Sequence, residues 1–231
     1  ERTIDGQVMY PHMYGDEGWY SFKPQPYRQG ALDVYYWSMN RGDLKHLPTT
    51  GWIGFLEGKN PDYPEEALQR DFSTIRRKVE GMRRDTSTPD TRMSDDPIGF
   101  NPATVSTLTE LMLGGLMPRH GEPLHCRVRY FDPLKRRAGI PEDVAALVEK
   151  LTDDEVTLTL VNVSPVEGRT VIIQGGAYAE HQLISATIGD HVMPLDRSSC
   201  TVHIAPGAGG RVIIKMKRYA NQPTFVFPWA R

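Results

Sequence analysis

The spacing of apolar residues changes period part-way along this chain, and that change constrains the fold more than any other feature. Up to about Pro118 apolar side chains recur at three- and four-residue intervals, as in Leu32, Tyr35, Tyr36 and Met39. Beyond His125 they come in short β-branched runs separated by turn residues. This predicts an α+β organisation, with a helical, loop-rich part over residues 1–118 and a β-sandwich over residues 119–231. Helices are predicted over Tyr27–Asn40, Pro64–Arg84 and Pro102–Leu116. Asn60-Pro61-Asp62 precedes the second, and Asn101-Pro102 starts the third with a capping residue and a proline at the first helical position. Gly42 and Gly114-Gly115 stand where the first and third should end. Long links such as Asp85–Asp96 read as loops, and three helices so joined cannot readily enclose a core. The sandwich, a partner chain or upstream helices are expected to cover them.

In the second part strands are predicted over His125–Phe131, Glu155–Val163, Arg169–Gln174, Gln182–Ile188, Cys200–Ile204, Arg211–Lys217 and Thr224–Phe227. About seven short strands with turn residues between them suit an antiparallel β-sandwich. Alternation is clearest in Val156-Thr157-Leu158-Thr159-Leu160-Val161, where the aliphatic side chains should face the opposite sheet and the threonines water. Gly189-Asp190 and Pro206-Gly207-Ala208-Gly209-Gly210 supply turns. One helix is expected to interrupt the strands, over Pro141–Leu151, with Ala145, Leu147 and Val148 inward and Glu142-Asp143 at its positive end.

Charge and cysteine content narrow the function classes. A net charge of −2 with 24% charged residues is not that of a polybasic nucleic-acid binder. No apolar run approaches the roughly 20 residues of a membrane span. The chain opens Glu1-Arg2-Thr3 with neither an initiator Met nor a signal-type segment, so a processed chain or a piece of a longer polypeptide is expected. Cys126 and Cys200 both fall in predicted strands, where a cross-sheet disulfide and two buried free thiols are the competing readings. There is no Cys-x-x-Cys, and no cofactor or metal site is expected.

The distribution of aromatic residues suggests a binding surface. Of the 21 Phe, Trp and Tyr residues, 12 lie in the first 63 positions. They are interleaved with polar groups in Tyr10-Pro11-His12-Met13-Tyr14-Gly15-Asp16-Glu17-Gly18-Trp19-Tyr20 and on to Tyr27-Arg28-Gln29. Pyranose rings stack their C–H faces on Trp and Tyr while their hydroxyls need carboxylate, amide or guanidinium partners, so sugar clefts mix these two classes. The competing reading is that the rings anchor loops on a core. Candidate catalytic residues are His12, Asp16, Glu17, Tyr20, Tyr27 and Arg28, and candidate substrate-binding residues are Tyr14, Trp19, Trp37 and Asn40. Asp16 or Glu17 would need a second carboxyl, Asp33 or Asp43, to hydrolyse a glycoside. A lyase would instead use a Tyr or His to take the proton beside a uronate carboxyl, and an Arg or Asn to neutralise it.

Gly175-Gly176-Ala177-Tyr178-Ala179-Glu180-His181 and the later Asp190-His191 offer two acids and two imidazoles, but their spacing matches no metal motif and a polar turn is expected. The basic run Arg76-Arg77-Lys78 with Arg83-Arg84 reads as a solvated or interdomain helix face.

An aromatic helical stretch such as Gly18-Trp19-Tyr20-Ser21-Phe22-Lys23-Pro24-Gln25-Pro26-Tyr27-Arg28-Gln29-Gly30-Ala31-Leu32-Asp33, leading into a sandwich, resembles in outline the C-terminal part of enzymes built as an (α/α) toroid followed by a β-sandwich. These include polysaccharide lyases and several glycoside hydrolases. The resemblance implies a carbohydrate substrate, missing upstream helices and a periplasmic or secreted location, with no nucleic-acid or membrane partner. The alternatives are a non-catalytic binding or assembly module docking a partner chain, and an enzyme acting on a small apolar substrate such as a terpenoid alcohol.

Overall fold

The computed structural model describes residues 2–15, 18–88, 101–103, 105–118 and 122–230. The chain divides into two compact units, Glu1–Lys59 and Asn60–Arg231. The change of period near Pro118 falls inside the second.

The first unit opens with an antiparallel meander of three strands, β1 (Arg2–Ile4), β2 (Gln7–Gly15) and β3 (Gly18–Lys23), where the sequence suggests irregular chain. Residues 2–8 are exposed throughout, so no inside-outside alternation marks β1 or the start of β2. Helix α1 (Arg28–Ser38) follows, then a 3-10 turn over Arg41–His46 and helix α2 (Gly51–Leu56). Met39, at a left-handed φ of 52°, ends α1, and its N–H donates to the Tyr35 carbonyl. Gly42 instead sits within the 3-10 turn, which Asn40 caps by accepting from the Gly42 N–H at 2.9 Å. Tyr35, Tyr36, Met39, Leu47, Trp52 and Ile53 are buried, so part of the aromatic enrichment fills an interior.

The second unit starts with two helices, α3 (Tyr63–Arg84) and α4 (Ser106–Leu113). The strands β4 (Gly115–Leu116) and β5 (His125–Cys126) then pair with each other. Two larger antiparallel sheets follow, making an α+β fold with β-sandwich-like sheets. One, in the order β13-β10-β6-β7, contains β6 (Val128–Asp132), β7 (Arg137–Ala138), β10 (Arg169–Gly175) and β13 (Ser199–Ile204). The other, in the order β12-β11-β14-β9-β8, contains β8 (Val144–Leu151), β9 (Glu155–Asn162), β11 (Gln182–Ile188), β12 (His191–Arg197) and β14 (Gly209–Lys217). Val156, Leu158, Leu160, Leu183 and Ile214 of this sheet and Val171 and Ile173 of the four-stranded sheet are core residues of the unit. The Tyr130 hydroxyl donates to the Met112 carbonyl at 2.8 Å, tying the sheet to α4. Gly114 lies where an added Cβ would come within 3.1 Å of Val148, so glycine allows α4 to end against β8.

Three elements differ from what the sequence predicts. Residues Pro141–Leu151 do not form a helix: Val144–Leu151 is strand β8. A bulge between Val148 and Lys150 adds one residue, so the buried positions Val144, Val148 and Leu151 fall at helix-like intervals. Thr224–Phe227 is not a strand; the Thr224 N–H donates to the Tyr178 carbonyl at 2.8 Å, the Phe225 ring meets that of Tyr178, and prolines at 223 and 228 flank the segment. Strand β12 was not expected, because its residues are almost all exposed and Pro194 interrupts it, as suits a sheet edge. Thr157 is buried rather than exposed. Cys126 and Cys200 are free thiols rather than a disulfide.

Candidate functional site

Within the first unit, Tyr10 and Pro11 from β2, Pro26 and Tyr27 ahead of α1, and Gly30, Ala31 and Val34 along α1 enclose a groove of about 340 Å³. Asp43 and His46, from the 3-10 turn, complete the lining. The order of elements explains the convergence. The meander brings Tyr10 beside the chain entering α1, and the turn after α1 returns Asp43 and His46 to the same side.

The rings are held by specific contacts. Tyr10 meets the His46 ring edge-on with centroids 5.1 Å apart, and Tyr27 meets His12 likewise at 5.7 Å. The His12 Nε2 lies 2.7 Å from the Gln25 carbonyl, which fixes the proton on Nε2 to make that bond. Gly30 gives the Tyr27 ring room, since an added Cβ would stand 3.2 Å from its Cδ1. Tyr27 keeps 41% of its surface exposed. Asp43 accepts from the Ser38 hydroxyl at 2.9 Å, leaving its other carboxylate oxygen available to a ligand.

The candidate residues divide sharply. Tyr27 lines the groove, and His12 supports it through the ring contact. Arg28 is exposed at the first position of α1, and Trp37 is half-exposed on the same helix; neither is among the lining residues. Asn40 spends its amide oxygen on the cap of the 3-10 turn. Tyr14, Trp19 and Tyr20 lie in β2 and β3, and Asp16 and Glu17 lie outside the described residues. Of the carboxylates weighed as a second acid, Asp43 reaches the groove. No local motif marks His46, which meets Tyr10 through the turn of the chain.

The polar string in the second unit is structural. The Glu180 carboxylate accepts from the N–H groups of Ala177 at 3.2 Å and Tyr178 at 2.7 Å. Buried His181 accepts the Tyr219 N–H on Nδ1 at 3.1 Å. Burial, with Arg127 and Arg218 nearby, pushes the His181 imidazole down to about 3. Among the described residues no cluster of three or more His, Cys, Asp or Glu could hold a metal ion. Burial pushes the Cys200 thiol up to about 11 and raises Cys126 further, so neither is poised as a nucleophile.

A family model described as a domain of unknown function, DUF8034, matches residues 48–109, from the end of the first unit through α3 into α4. No curated protein and no solved structure matches the chain.

Proposed function

We propose that the first unit binds a neutral sugar ring in the groove between Tyr10 and Tyr27, as a carbohydrate-recognising element of a carbohydrate-processing protein. The single observation that carries this reading is the lining itself: two tyrosines and two prolines offer flat apolar surface, while Asp43 and His46 offer hydrogen-bonding groups from one side. A pyranose has the same two-sided character. Among the described residues the lining holds no Arg or Lys and does hold a carboxylate, which disfavours a uronate and therefore the lyase form of the reading. Among the described residues Asp43 is the one Asp or Glu in the lining, whereas hydrolysis of a glycosidic bond ordinarily takes two carboxyls. Binding, with Asp43 and His46 gripping hydroxyls, is what these groups do best. The comparison of α1–α4 with the tail of an (α/α) toroid belongs to the same proposal.

The apolar share of the lining, from Pro11, Pro26, Ala31 and Val34, supports a second reading, a small apolar alcohol whose hydroxyl meets Asp43 or His46. One calorimetric titration series of the full chain separates the two, using neutral oligosaccharides, uronate oligosaccharides and a terpenoid alcohol. Saturable heat with the neutral sugars alone supports the proposal. Saturation only with the alcohol establishes the second reading, and saturation only with uronates overturns both.

A further inference from the structure

Helix α3 presents an apolar stripe that the described residues leave largely uncovered. Tyr63 and Ala67 are its buried residues. On the adjacent face Leu68, Phe72, Ile75, Val79 and Met82 follow at steps of four, three, four and three. On a helix with 3.6 residues per turn this alternation keeps the side chains in one line, the seam two helices share when they pack side by side. Leu68, Phe72 and Met82 are exposed, Phe72 at 57%, and Ile75 and Val79 are half-buried. A lone exposed apolar side chain needs no explanation, but an aligned row along a helix does.

The charges beside the stripe indicate what covers it. Asp71 and Lys78 border one side; Glu65, Gln69, Arg76 and Arg83 border the other. Suppose two copies of α3 lie antiparallel, with Phe72 of each against Ile75 of its partner. Each flank then meets its own copy running in the opposite direction. Asp71 comes opposite Lys78, twice by symmetry, and Arg76 comes opposite the uncharged Gln69. A parallel, in-register pair would also satisfy Asp71, through Arg76, but would set Lys78 against Arg83 in both copies. The Lys78 Nζ donates to the neutral Asn101 carbonyl at 2.8 Å, and among the described residues it makes no ion pair. Self-complementarity of this kind is what a two-fold interface requires.

We propose that the chain forms a two-fold homodimer in which α3 packs antiparallel against its copy through Leu68, Phe72, Ile75 and Val79, with reciprocal Asp71–Lys78 pairs at the edge. This does not depend on the sugar-binding reading. Sedimentation equilibrium of the full chain from about 1 to about 200 µM, a range that captures micromolar association, tests it. The wild type should rise to twice the single-chain mass, and Phe72→Glu should stay single. Asp71→Lys and Lys78→Asp should each weaken association by about tenfold or more, and the two together should recover most of the loss. Circular dichroism checks that each variant is folded. A wild type that stays single at the highest concentration overturns the proposal. So does a dimer indifferent to Phe72→Glu, or a double swap no better than its worse single change.

Discussion

The buried imidazole of His181 makes the second unit acid-sensitive in a way that can be isolated. In the fold its Nδ1 accepts the Tyr219 N–H, so the neutral ring carries its proton on Nε2. Tyr219 itself holds a left-handed φ of 52°, which that bond helps maintain. Burial, followed by Arg127 and Arg218, holds the imidazole down at about 3, against an ordinary 6.5. A group with a depressed proton affinity in the fold contributes stability that is present above its unfolded value and lost as the pH falls through the window below it. Here the window runs from 6.5 down to about 3. The unfolded chain takes up the proton first, so linkage gives a loss of about 2 kcal/mol between pH 7 and pH 5, and about 3 kcal/mol by pH 4. Urea unfolding of the wild type and His181→Asn at pH 7, 6 and 5 separates this group from every other titration. Asparagine places an acceptor near the Nδ1 position but cannot take the proton. The wild type should lose about 2 kcal/mol more than the variant over that range. Parallel curves would refute the argument.

Other changes probe the same framework. Gly176→Ala should destabilise the fold by about 3 kcal/mol or more in urea unfolding, because Gly176 has a φ of 82° and an added Cβ would overlap the Glu180 carboxylate. Asn162→Leu should cost about 3 kcal/mol or more by the same measurement: the buried Nδ2 serves the Glu167, Ile204 and Ala205 carbonyls while Oδ1 accepts the Ser164 N–H. In the groove, Tyr27→Ala should weaken sugar binding by about tenfold in calorimetry while leaving the unfolding midpoint nearly unchanged, since the ring is half-exposed.

Much of the second unit is legible in the sequence because strands such as β14 have one wet and one dry face, while β10, buried on both, shows as a β-branched run. In β14 the buried Val212, Ile214 and Met216 alternate with Arg211, Lys215 and Lys217. Legibility fails where that alternation is interrupted or absent. The bulge in β8 gives a strand the spacing of a helix, and β12 and residues 2–8 of the opening meander bury too little to show any pattern. The aromatic segment is legible only in part for a related reason. Composition identifies a segment rich in rings but does not say which way each ring points. Tyr35, Tyr36 and Trp52 turn inward while Tyr10 and Tyr27 face a groove. Asp43 and His46 join them through the 3-10 turn, a placement no local motif encodes.

Saturation-transfer NMR tests the sugar-ring reading most directly. Irradiating the aromatic protons of the full chain in the presence of a neutral oligosaccharide should transfer magnetisation to the ring methine protons on the apolar face of one sugar unit. The transfer should disappear in Tyr10→Ala/Tyr27→Ala. No transfer to any neutral oligosaccharide, or transfer undiminished in the double variant, would contradict the account.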